Sequence, residues 1–254
     1  MKFGIDIGHN CPPHDTGAVG LKREDDLAKD VGSRLMKKLS AAGHTVVYCT
    51  PSQATSVNDS LRQRVKKAND NQVNVFVSIH FNAFKPTDNP RGAEVYAISN
   101  TSKAIARSVL DQITKLGFKD KGVKDRPIFF VTRHTSMPAI LVECCFVDSR
   151  ADMAMFDAEK MAEAIKVGLI EETPASPLDP EPGTLVITKP TILKPSTDAS
   201  ENIAPEELED ILPGEYPVLA SHREERHYWV RWPDKSLKNR DQHFVFEEHA
   251  KIKD

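Results

Sequence analysis

Short apolar runs that alternate with helical patterns constrain the fold of residues 1–172. The runs are rich in Val, Ile and Phe, which favour strands, and the segments between them repeat apolar residues at helical spacing. Strands that alternate with helices form a mostly parallel sheet flanked by helices, so we predict an α/β fold. The predicted strands are Phe3–Ile7, Thr45–Cys49, Val73–Ile79, Ala93–Ile98, Ile128–Val131 and Ala139–Phe146, and the predicted helices are Glu24–Ala42, Ser60–Asn71, Ser102–Leu116 and Ala158–Ile170.

A proline-rich stretch divides the chain into two parts of different composition. Residues 173–183 contain four prolines and almost no apolar side chains, which is typical of a semi-extended linker. Residues 1–172 carry 24 basic and 21 acidic side chains, and the remainder carries 10 and 16, which gives +3 and −6 and the total of −3. We therefore predict two domains, residues 1–172 and residues 184–254, joined by this linker.

Charge and apolar content exclude several classes of protein. A net charge of −3 with scattered Lys and Arg does not predict the clustered basic surface that binds nucleic acid. No window approaches roughly 18 consecutive apolar residues, so we expect no membrane insertion. Asp6 and His9 interrupt the apolar residues at the start of the chain, which therefore do not form the apolar run of a signal peptide.

The four cysteines are not spaced as a disulfide framework, so we expect free thiols. We also expect a monomer.

Polar side chains lie at or near the ends of three predicted strands. His9 follows the first strand, His80 follows the third, and Glu143 lies within the last. Glu24 opens the first long helix. Functional groups gather at the carboxyl edge of a parallel sheet, where the strand ends meet. We therefore expect these four side chains to lie close together.

These side chains have the chemistry of a catalytic zinc site, although most of them also have a structural explanation. Two histidines and a carboxylate supply three ligands and leave a fourth position open. A further carboxylate must accept a proton from water, and Glu143 is the candidate, because burying a carboxylate in an apolar strand is costly unless it is paired or functional. A single histidine at a strand end is more often structural, and a Glu at a helix start usually interacts with the helix dipole.

Five short motifs follow one another along residues 1–172: Asp6-Ile-Gly-His9-Asn, Asp15-Thr-Gly-Ala18 before Glu24, Leu61-Arg-Gln-Arg64-Val-Lys-Lys-Ala68-Asn69, Ser78-Ile-His80-Phe-Asn82-Ala83, and Pro138-Ala-Ile-Leu-Val-Glu143 with Phe146. In this order they resemble the motifs of zinc-dependent N-acetylmuramoyl-L-alanine amidases, the type 3 peptidoglycan amidases. The resemblance implies a zinc ion held by His9, Glu24 and His80, with Glu143 as the catalytic carboxylate. It also implies hydrolysis of the amide between the lactyl group of N-acetylmuramic acid and L-alanine.

Two further residues of these motifs are candidates for substrate binding. Asn82 projects to the same side as His80 if the strand continues, where it either contacts substrate or fixes the loop. Arg64 lies on the helix before the His80 strand, where an ion pair or a bridge from helix to loop is favoured over a contact with substrate.

The sequence departs from the pattern of this family beside two of the motifs. The first motif usually continues from its histidine into glycine, whereas here Asn10-Cys11-Pro12-Pro13-His14 follows and brings Cys11 and His14 close to it. Both residues are near the predicted site, and a role in the local loop is favoured over one as competing ligands. Strand alternation after Glu143 places Cys145 on the same face, where packing is again the favoured role.

The residues after the linker have the pattern of a small all-β domain. Short strand-like runs are separated by turns with proline and glycine, which predicts a barrel. Residues 188–195, 212–218 and 228–232 resemble bacterial Src-homology-3-like domains of wall-active enzymes. The resemblance implies wall binding, in which an exposed Tyr228, Trp229 or Trp232 stacks on sugars or peptides. Packing in the core is the alternative for at least one of the two tryptophans. The predicted strands are Leu185–Thr188, Tyr216–Ala220, His227–Trp232 and His243–Phe246.

The predicted function is zinc-dependent hydrolysis of the amide between N-acetylmuramic acid and L-alanine in peptidoglycan, with one zinc ion per chain. Such an enzyme, synthesised in the cytoplasm, acts on the cell wall after release or by another export route. Two alternatives stay open. One is a zinc peptidase that cuts within the stem peptide, and the other is a wall-binding module without catalysis.

Overall fold

The computed structural model divides the chain into two compact units, Met1–Pro174 and Ala175–Asp254. It describes residues 1–126, 128–172, 183–195, 197, 199–224, 226–233 and 242–253, with the backbone alone at 172, 202, 220 and 222–224. The predicted linker, residues 173–183, lies outside the described residues except for Gly183, which begins a strand. No helix in the described residues is long and apolar enough to cross a membrane.

The first unit is built on a six-stranded sheet. Its strands are β1 (Lys2–Ile7), β2 (Thr45–Tyr48), β3 (Val75–Asn82), β4 (Ala93–Ala97), β5 (Asp120–Lys124) and β6 (Ala139–Phe146). Their order across the sheet is β2–β1–β3–β6–β4–β5. Neighbouring strands are parallel except for β4 and β6, which pair antiparallel. The prediction of a mostly parallel sheet is therefore confirmed.

Helices cover both faces of this sheet. They are α1 (Glu24–Ala41), α2 (Val57–Asp70), α3 (Asn100–Thr114), α4 (Phe130–His134), α5 (Arg150–Met155) and α6 (Ala158–Glu172). Helix α6 contacts both α1 and α3, and the three enclose the larger apolar core, in which Leu35 and Leu169 are completely buried. Helices α2 and α4 contact each other on the other face, around Phe76 and Tyr96. Helices on both faces confirm the predicted α/β class.

The alternation of residues along β3 decides which side chains face α2. Val77 and Ile79 belong to the larger core, while Phe76 packs in the smaller cluster with α2 and α4. Ser78 and His80 follow Phe76 at two-residue spacing, so they share its face. Polar groups near the carboxyl ends of the strands therefore lie on the face that α2 and α4 cover.

The segment between α3 and β6 differs from the prediction. The predicted strand Ile128–Val131 is wrong, because the fifth strand is Asp120–Lys124 and α4 begins at Phe130. Ile128 is 75% exposed, whereas Val131 is buried in the cluster around α2, so this apolar run is one side of a short helix. The sequence pattern does not predict α5.

Helix α2 begins earlier than predicted because a different residue caps it. The side chain of Ser56 accepts a hydrogen bond from the backbone N–H of Asp59 at 3.1 Å. This is the geometry of a serine N-cap, which satisfies one free N–H group of the first turn. The sequence predicts a helix that begins at Ser60, whereas Asp59 lies inside the observed helix rather than before it.

The second unit contains short antiparallel strands around its own apolar core. They are β7 (Gly183–Ile187), β8 (Thr191–Leu193), β9 (Glu209–Ile211), β10 (Gly214–Val218), β11 (Ala220–Glu224), β12 (His227–Arg231), β13 (Gln242–Phe246) and β14 (Ala250–Lys253). They form two three-stranded sheets, β10–β7–β14 and β11–β12–β13, and the pair β8–β9. The described residues thus show part of a small β domain, and closure into a barrel stays a prediction.

Both tryptophans of the second unit are buried, which confirms the expectation that at least one packs in the core and contradicts stacking by an exposed Trp229 or Trp232. Trp232 is 5% exposed and donates a hydrogen bond from Nε1 to Nδ1 of His243 at 2.9 Å. Trp229 is 8% exposed and packs against Phe244, its partner across β12 and β13. The sequence shows the aromatic residues but not how deeply each is buried.

Gly168 allows α6 to approach α3 closely, and its substitution tests this packing. A Cβ at Gly168 would lie 2.5 Å from Cα of Val109. Helix propensity alone predicts that Gly168→Ala stabilises the protein by about 1 kcal/mol. Overpacking against the backbone costs about 1–3 kcal/mol, so we expect a net loss of up to about 2 kcal/mol. Urea denaturation followed by helical circular dichroism measures this change.

Gly32→Ala is the matched control in α1. A Cβ at Gly32 would meet the side chain of Ile7 at 2.7 Å, and a side chain can move where a backbone cannot. We expect this variant to lose less stability than Gly168→Ala. A Gly168→Ala protein more stable than the wild type would contradict the close approach of the two helices.

Candidate metal centre and its carboxylates

Polar side chains form two rows across the sheet near its carboxyl edge. In one row Asp6 of β1 pairs with Ser78 of β3. In the next row His80 of β3 pairs with Glu143 of β6, and Glu143 pairs with Glu94 of β4. Neighbouring strands lie about 4.8 Å apart, so paired residues are close in space. The sheet thus brings together ionisable groups that are distant in sequence.

A sharp turn after β1 brings His9 to this edge. The backbone N–H of Gly8 still donates to the carbonyl of Ile79 at 2.8 Å, as a strand residue would. His9 and Asn10 then adopt left-handed conformations with φ of 53° and 54°, which are uncommon for residues other than glycine. The chain leaves the sheet at this point and returns to the same edge at Glu24, where α1 begins.

His9, Glu24 and His80 each place one potential ligand atom within 4.8 Å of the others. Oε1 of Glu24 lies 3.5 Å from Nε2 of His9 and 3.1 Å from Nδ1 of His80. Glu24 is 3% exposed, and hydrogen bonds from the backbone N–H groups of Ala18 and Phe81 fix its carboxylate. Two imidazole nitrogens and a carboxylate oxygen form a donor set that zinc binds.

Two glycines leave room for these side chains. A Cβ at Gly8 would lie 2.4 Å from the ring of His80. A Cβ at Gly17 would lie 2.7 Å from the carboxylate of Glu24. The imidazole and the carboxylate therefore lie directly against the backbone, which restricts the movement of both groups.

Arg64 of α2 is 1% exposed and binds the strand and loop that carry His9. Its guanidinium forms ion pairs with Asp6 and Asp15. It also donates to the backbone carbonyls of Ile7 and His9 and to a serine hydroxyl one turn earlier in α2. These contacts all lie within the protein, which supports the favoured ion-pair interpretation of Arg64 over the alternative of a contact with substrate.

Asp15 connects Arg64 to His9. Its Oδ1 lies 2.9 Å from Nδ1 of His9, and its Oδ2 accepts hydrogen bonds from Ser60 at 2.6 Å and Arg64 at 3.1 Å. Burial opposes ionisation of Asp15, but the hydrogen bonds and the charge of Arg64 outweigh it and lower the pKa of Asp15 to about 2. Burial also disfavours charged His9, while Asp15 and Glu24 raise the pKa of His9 above its ordinary value. Ionised Asp15 thus orients His9 with Nε2 toward Glu24.

Glu143 lies between His80 and Glu94 and has an unpaired oxygen. Its Oε2 is buried and has no hydrogen-bond partner among the described residues. Burial, followed by the negative charges of Glu24 and Glu94, raises the pKa of Glu143 well above its ordinary value. A positioned carboxylate with a raised pKa and a free oxygen is suited to proton transfer.

Glu94 is a second buried carboxylate of this row, with an exposed fraction of 3%. Its Oε1 accepts hydrogen bonds from Nδ2 of Asn82 at 2.8 Å and from the hydroxyl of Tyr96 at 2.7 Å. Its Oε2 forms ion pairs with Lys124 and Lys121. Burial opposes ionisation, but these partners outweigh it and lower the pKa of Glu94 below its ordinary value. Glu94 is therefore ionised at neutral pH.

The structure places Asn82 at the end of β3, with its amide held by Glu94. This contact supports the alternative in which Asn82 fixes local structure, and it leaves a contact with substrate as a prediction. Sequence reasoning missed Glu94, although the signal was present. A carboxylate interrupts the apolar run of β4 in the same way that Glu143 interrupts the run of β6.

An irregularity in β6 changes the orientation of the cysteines. His80 pairs with Glu143 but Asn82 pairs with Phe146, so β6 has one residue more than β3 over this stretch. Cys145 consequently packs in the larger core with the preceding cysteine. The prediction that Cys145 shares the face of Glu143 is wrong, because strand alternation stops at the bulge.

The other two unusual residues near the site do not join the ligand cluster. Cys11 is completely buried, and its backbone N–H and carbonyl pair with those of Asp15. His14 is exposed on the same loop. In the part of the chain that the structure describes, the one group with ligand atoms at metal-binding spacing is formed by the three predicted residues.

The fold and the site together match one family of proteins. At the edge of a mostly parallel sheet, two histidines and a carboxylate lie at ligand spacing, beside a second carboxylate whose buried Oε2 has no hydrogen-bond partner among the described residues. Residues 4–171 match the family of N-acetylmuramoyl-L-alanine amidases, and the chain belongs to this family. The resemblance found in the sequence motifs is thereby confirmed for the family.

Several known proteins are similar to about two thirds of this chain. An uncharacterised protein of Clostridium perfringens is 35% identical over 68% of this chain and 53% of its own length. The amidase LytC of Bacillus subtilis is 33% identical over 65% of this chain and 34% of its own. The endolysin of Bacillus phage SPP1 is 30% identical over 66% of this chain and 62% of its own. The chain thus spans less than two thirds of each relative.

A solved structure shows the same fold. The amidase AmiC2 of Nostoc punctiforme has 31% sequence identity and a TM-score of 0.59, and the match covers 67% of this chain and 96% of that one. The matched part of this chain agrees in extent with the family match over residues 4–171. The mixed α/β unit described above is therefore an amidase fold.

Replacing Arg64 tests whether its buried ion pairs support the site. Arg64→Leu leaves the carboxylates of Asp6 and Asp15 buried without their cation, and breaking a buried pair in this way costs about 3–5 kcal/mol. We expect a loss of that size in the free energy of unfolding, measured by urea denaturation. Arg62→Leu, at an exposed position of the same helix, should change it by less than about 0.5 kcal/mol. Equal stability of the two variants would argue against a structural role for Arg64.

Proposed function

We propose that this protein hydrolyses the amide bond between the lactyl group of N-acetylmuramic acid and L-alanine in peptidoglycan. The observation that carries the proposal is the convergence of His9, Glu24 and His80 beside Glu143, whose buried Oε2 is unpaired. Membership of the amidase family supports the choice of bond. The names of two relatives, an amidase and an endolysin, support peptidoglycan as the substrate.

We propose that His9, Glu24 and His80 hold one zinc ion, and the residues present fit this metal. Their donor set matches zinc, and the ligand atoms lie within 4.8 Å of one another. The second ring nitrogen of His9 binds the carboxylate of Asp15, as is usual for a histidine that ligates a metal. When bound, zinc supplies a Lewis acid that polarises a carbonyl and lowers the pKa of water.

Glu143 is the proton-transferring residue in this proposal. As a carboxylate it accepts a proton from the attacking water, and as a carboxylic acid it donates that proton to the amine that leaves. Its unpaired Oε2 is available for both transfers. Because burial raises the pKa of Glu143, its protonated form is accessible between the two steps. Glu94, whose pKa is lowered by its partners, stays ionised and does not compete for the proton.

The remaining predicted residues act around this centre. Asn82, held by Glu94 at the end of β3, is proposed to contact the substrate beside Glu143. Arg64 acts through Asp15 and the loop that carries His9. Because the proposed ligands and Glu143 all come from one chain, a monomer contains the complete centre.

We further propose that the second unit binds the cell wall as an Src-homology-3-like domain. The support is its short antiparallel strands and its separate apolar core. Because Trp229 and Trp232 are buried, contacts with the wall fall to other side chains. Leu212 and Leu219 are the exposed large apolar residues of the described part of this unit, at 66% and 50%.

Glu143→Gln tests the catalytic assignment. The amide keeps the size of the side chain but cannot accept the proton, so we expect the rate to fall by about 10²–10⁴-fold. Zinc content, measured by plasma mass spectrometry, should remain that of the wild type. Mass spectrometry of products from defined muropeptides should show that the wild type releases intact stem peptides beginning with L-alanine.

Glu159→Gln is the control, since it removes an exposed carboxylate of α6 and should leave the rate unchanged. Full activity of Glu143→Gln would reject the role of this residue. Peptides cut within the stem would identify the protein as a peptidase instead. Binding to the wall without any product would identify a non-catalytic wall-binding module.

His80→Ala tests the metal site. Removing one of three ligands should abolish stoichiometric zinc binding together with activity, and treating the wild type with a chelator should abolish activity that added zinc restores. His14→Ala, at an exposed position outside the cluster, should keep both. One zinc ion per chain in the His80→Ala protein would show that the metal lies elsewhere.

A further inference from the structure

The pairing of β4 with β5 directs two lysines toward Glu94. The register is irregular, with one extra residue in β5 between two paired positions. As a result Lys121 and Lys124, three positions apart, both approach Oε2 of Glu94. In a regular strand, residues three apart lie on opposite faces. The bulge thus concentrates positive charge at one carboxylate.

The acidic residues of the same segment pair with α3 instead. Asp120 forms an ion pair with Arg107 at 2.9 Å. Asp125 forms an ion pair with Lys103 at 2.8 Å. Both carboxylates are therefore occupied by cations of the helix and do not neutralise the lysines that approach Glu94.

Three basic side chains of this segment form a surface that we call the basic strip: Lys121, Lys124 and Arg126. The charged groups of Lys124 and Arg126 lie 6.0 and 5.8 Å from the ring centroid of Tyr96, and that of Lys121 lies 5.1 Å from the ring centroid of Phe146. Glu94 offsets one of the three positive charges. The basic strip therefore keeps a net positive charge next to the row that contains Glu143.

Lys121 is the member of the basic strip best placed to accept an anion. Its Nζ lies 3.7 Å from Oε2 of Glu94, beyond hydrogen-bonding distance, and its side chain is 30% exposed. Lys124, by contrast, donates a hydrogen bond to Glu94. The described residues offer no hydrogen-bond acceptor to Lys121, whose ammonium carries three donors. An anion can bind there without displacing a hydrogen bond.

The distance between Lys121 and Glu143 fits a short peptide. Glu94 is the direct partner of Glu143 across β4 and β6, and Lys121 lies on the next strand, β5. Strands are about 4.8 Å apart, so β5 is about 10 Å from β6. An extended peptide rises about 3.3 Å per residue, so this distance corresponds to about three residues. This backbone spacing is an upper value, because the Lys121 side chain extends toward β6, with Nζ 5.1 Å from the ring centroid of Phe146. A group held by Lys121 thus lies within about three residues of a bond cleaved at Glu143.

We propose that Lys121 binds a carboxylate of the first three residues of the stem peptide, so that the enzyme prefers acidic stem peptides to amidated ones. This inference rests on the proposed function, which supplies the stem peptide. Lysine binds carboxylates through charge-assisted hydrogen bonds, which are stronger than neutral ones. The ring of Phe146 supports the lysine side chain, and Lys124 and Arg126 add to the positive field.

Binding to the full-length, zinc-loaded Glu143→Gln protein tests the proposal without requiring turnover. Calorimetry compares muropeptides whose second or third stem residue carries a free carboxylate with muropeptides in which that group is an amide. We expect at least one of these amidations to weaken binding by about ten- to a hundredfold, the range of one charged hydrogen bond. Adding Lys121→Gln should remove this preference.

The matched control adds Lys160→Gln, which removes the same charge at an exposed position of α6 and should keep the preference. Equal affinity for acidic and amidated muropeptides, including no binding of either, would overturn the proposal. A preference that survives Lys121→Gln would overturn it as well. Cleavage by the protein with intact Glu143 is measured separately, so failure of the proposed function is distinguished from failure of this inference.

Discussion

The guanidinium of Arg64 is buried between two carboxylates, Asp6 of β1 and Asp15 of the following loop. It also binds the backbone carbonyl of His9, at a turn that takes a left-handed conformation. A buried charge is tolerated only with full pairing, so these groups depend on one another. Through Asp15 the same network sets the orientation of the His9 ring. The position of the first proposed ligand therefore depends on an ion pair formed by a helix distant in sequence.

The buried carboxylates at the sheet edge carry more negative charge than the basic side chains beside them offset, which favours binding of a cation at the proposed site. Glu24 and Glu143 lie near each other and are mostly buried, and their mutual repulsion contributes to the raised pKa of Glu143. Glu94 differs because Lys121 and Lys124 approach its second oxygen. One row of the sheet thus contains Glu94, which has two lysines beside it, and Glu143, whose Oε2 has no partner among the described residues. A metal ion at the three proposed ligands would supply the missing positive charge.

Much of this arrangement could be predicted from the sequence, because the strands of the first unit are apolar and their polar ends stand out. The places of His9, His80 and Glu143 follow from that pattern. Strand β5 was missed because its charged residues and glycine lack the apolar alternation of a strand. The bulge that turns Cys145 into the core depends on pairing between strands, which no local pattern reports.

Like the bulge in β6, the ion pairs of Arg64 and the partners of Glu94 could not be predicted from the sequence. Each joins elements that meet only in the folded chain, and residue type alone does not reveal the partner. In the second unit the sequence showed the aromatic residues, but the burial of Trp229 and Trp232 depends on how the strands pair. The polar residues at the end of a single strand could therefore be predicted from the sequence. Ion pairs and burial that depend on contact between two elements could not.

The most direct test of the central claim is the position of the metal in crystals of the full chain grown with zinc. Diffraction measured at the zinc absorption edge locates the ion independently of activity. We expect one anomalous peak in contact with His9, Glu24 and His80, with Glu143 nearby but not a ligand. A peak bound by Glu143 or by Cys11, or no peak at these three side chains, would contradict the assignment.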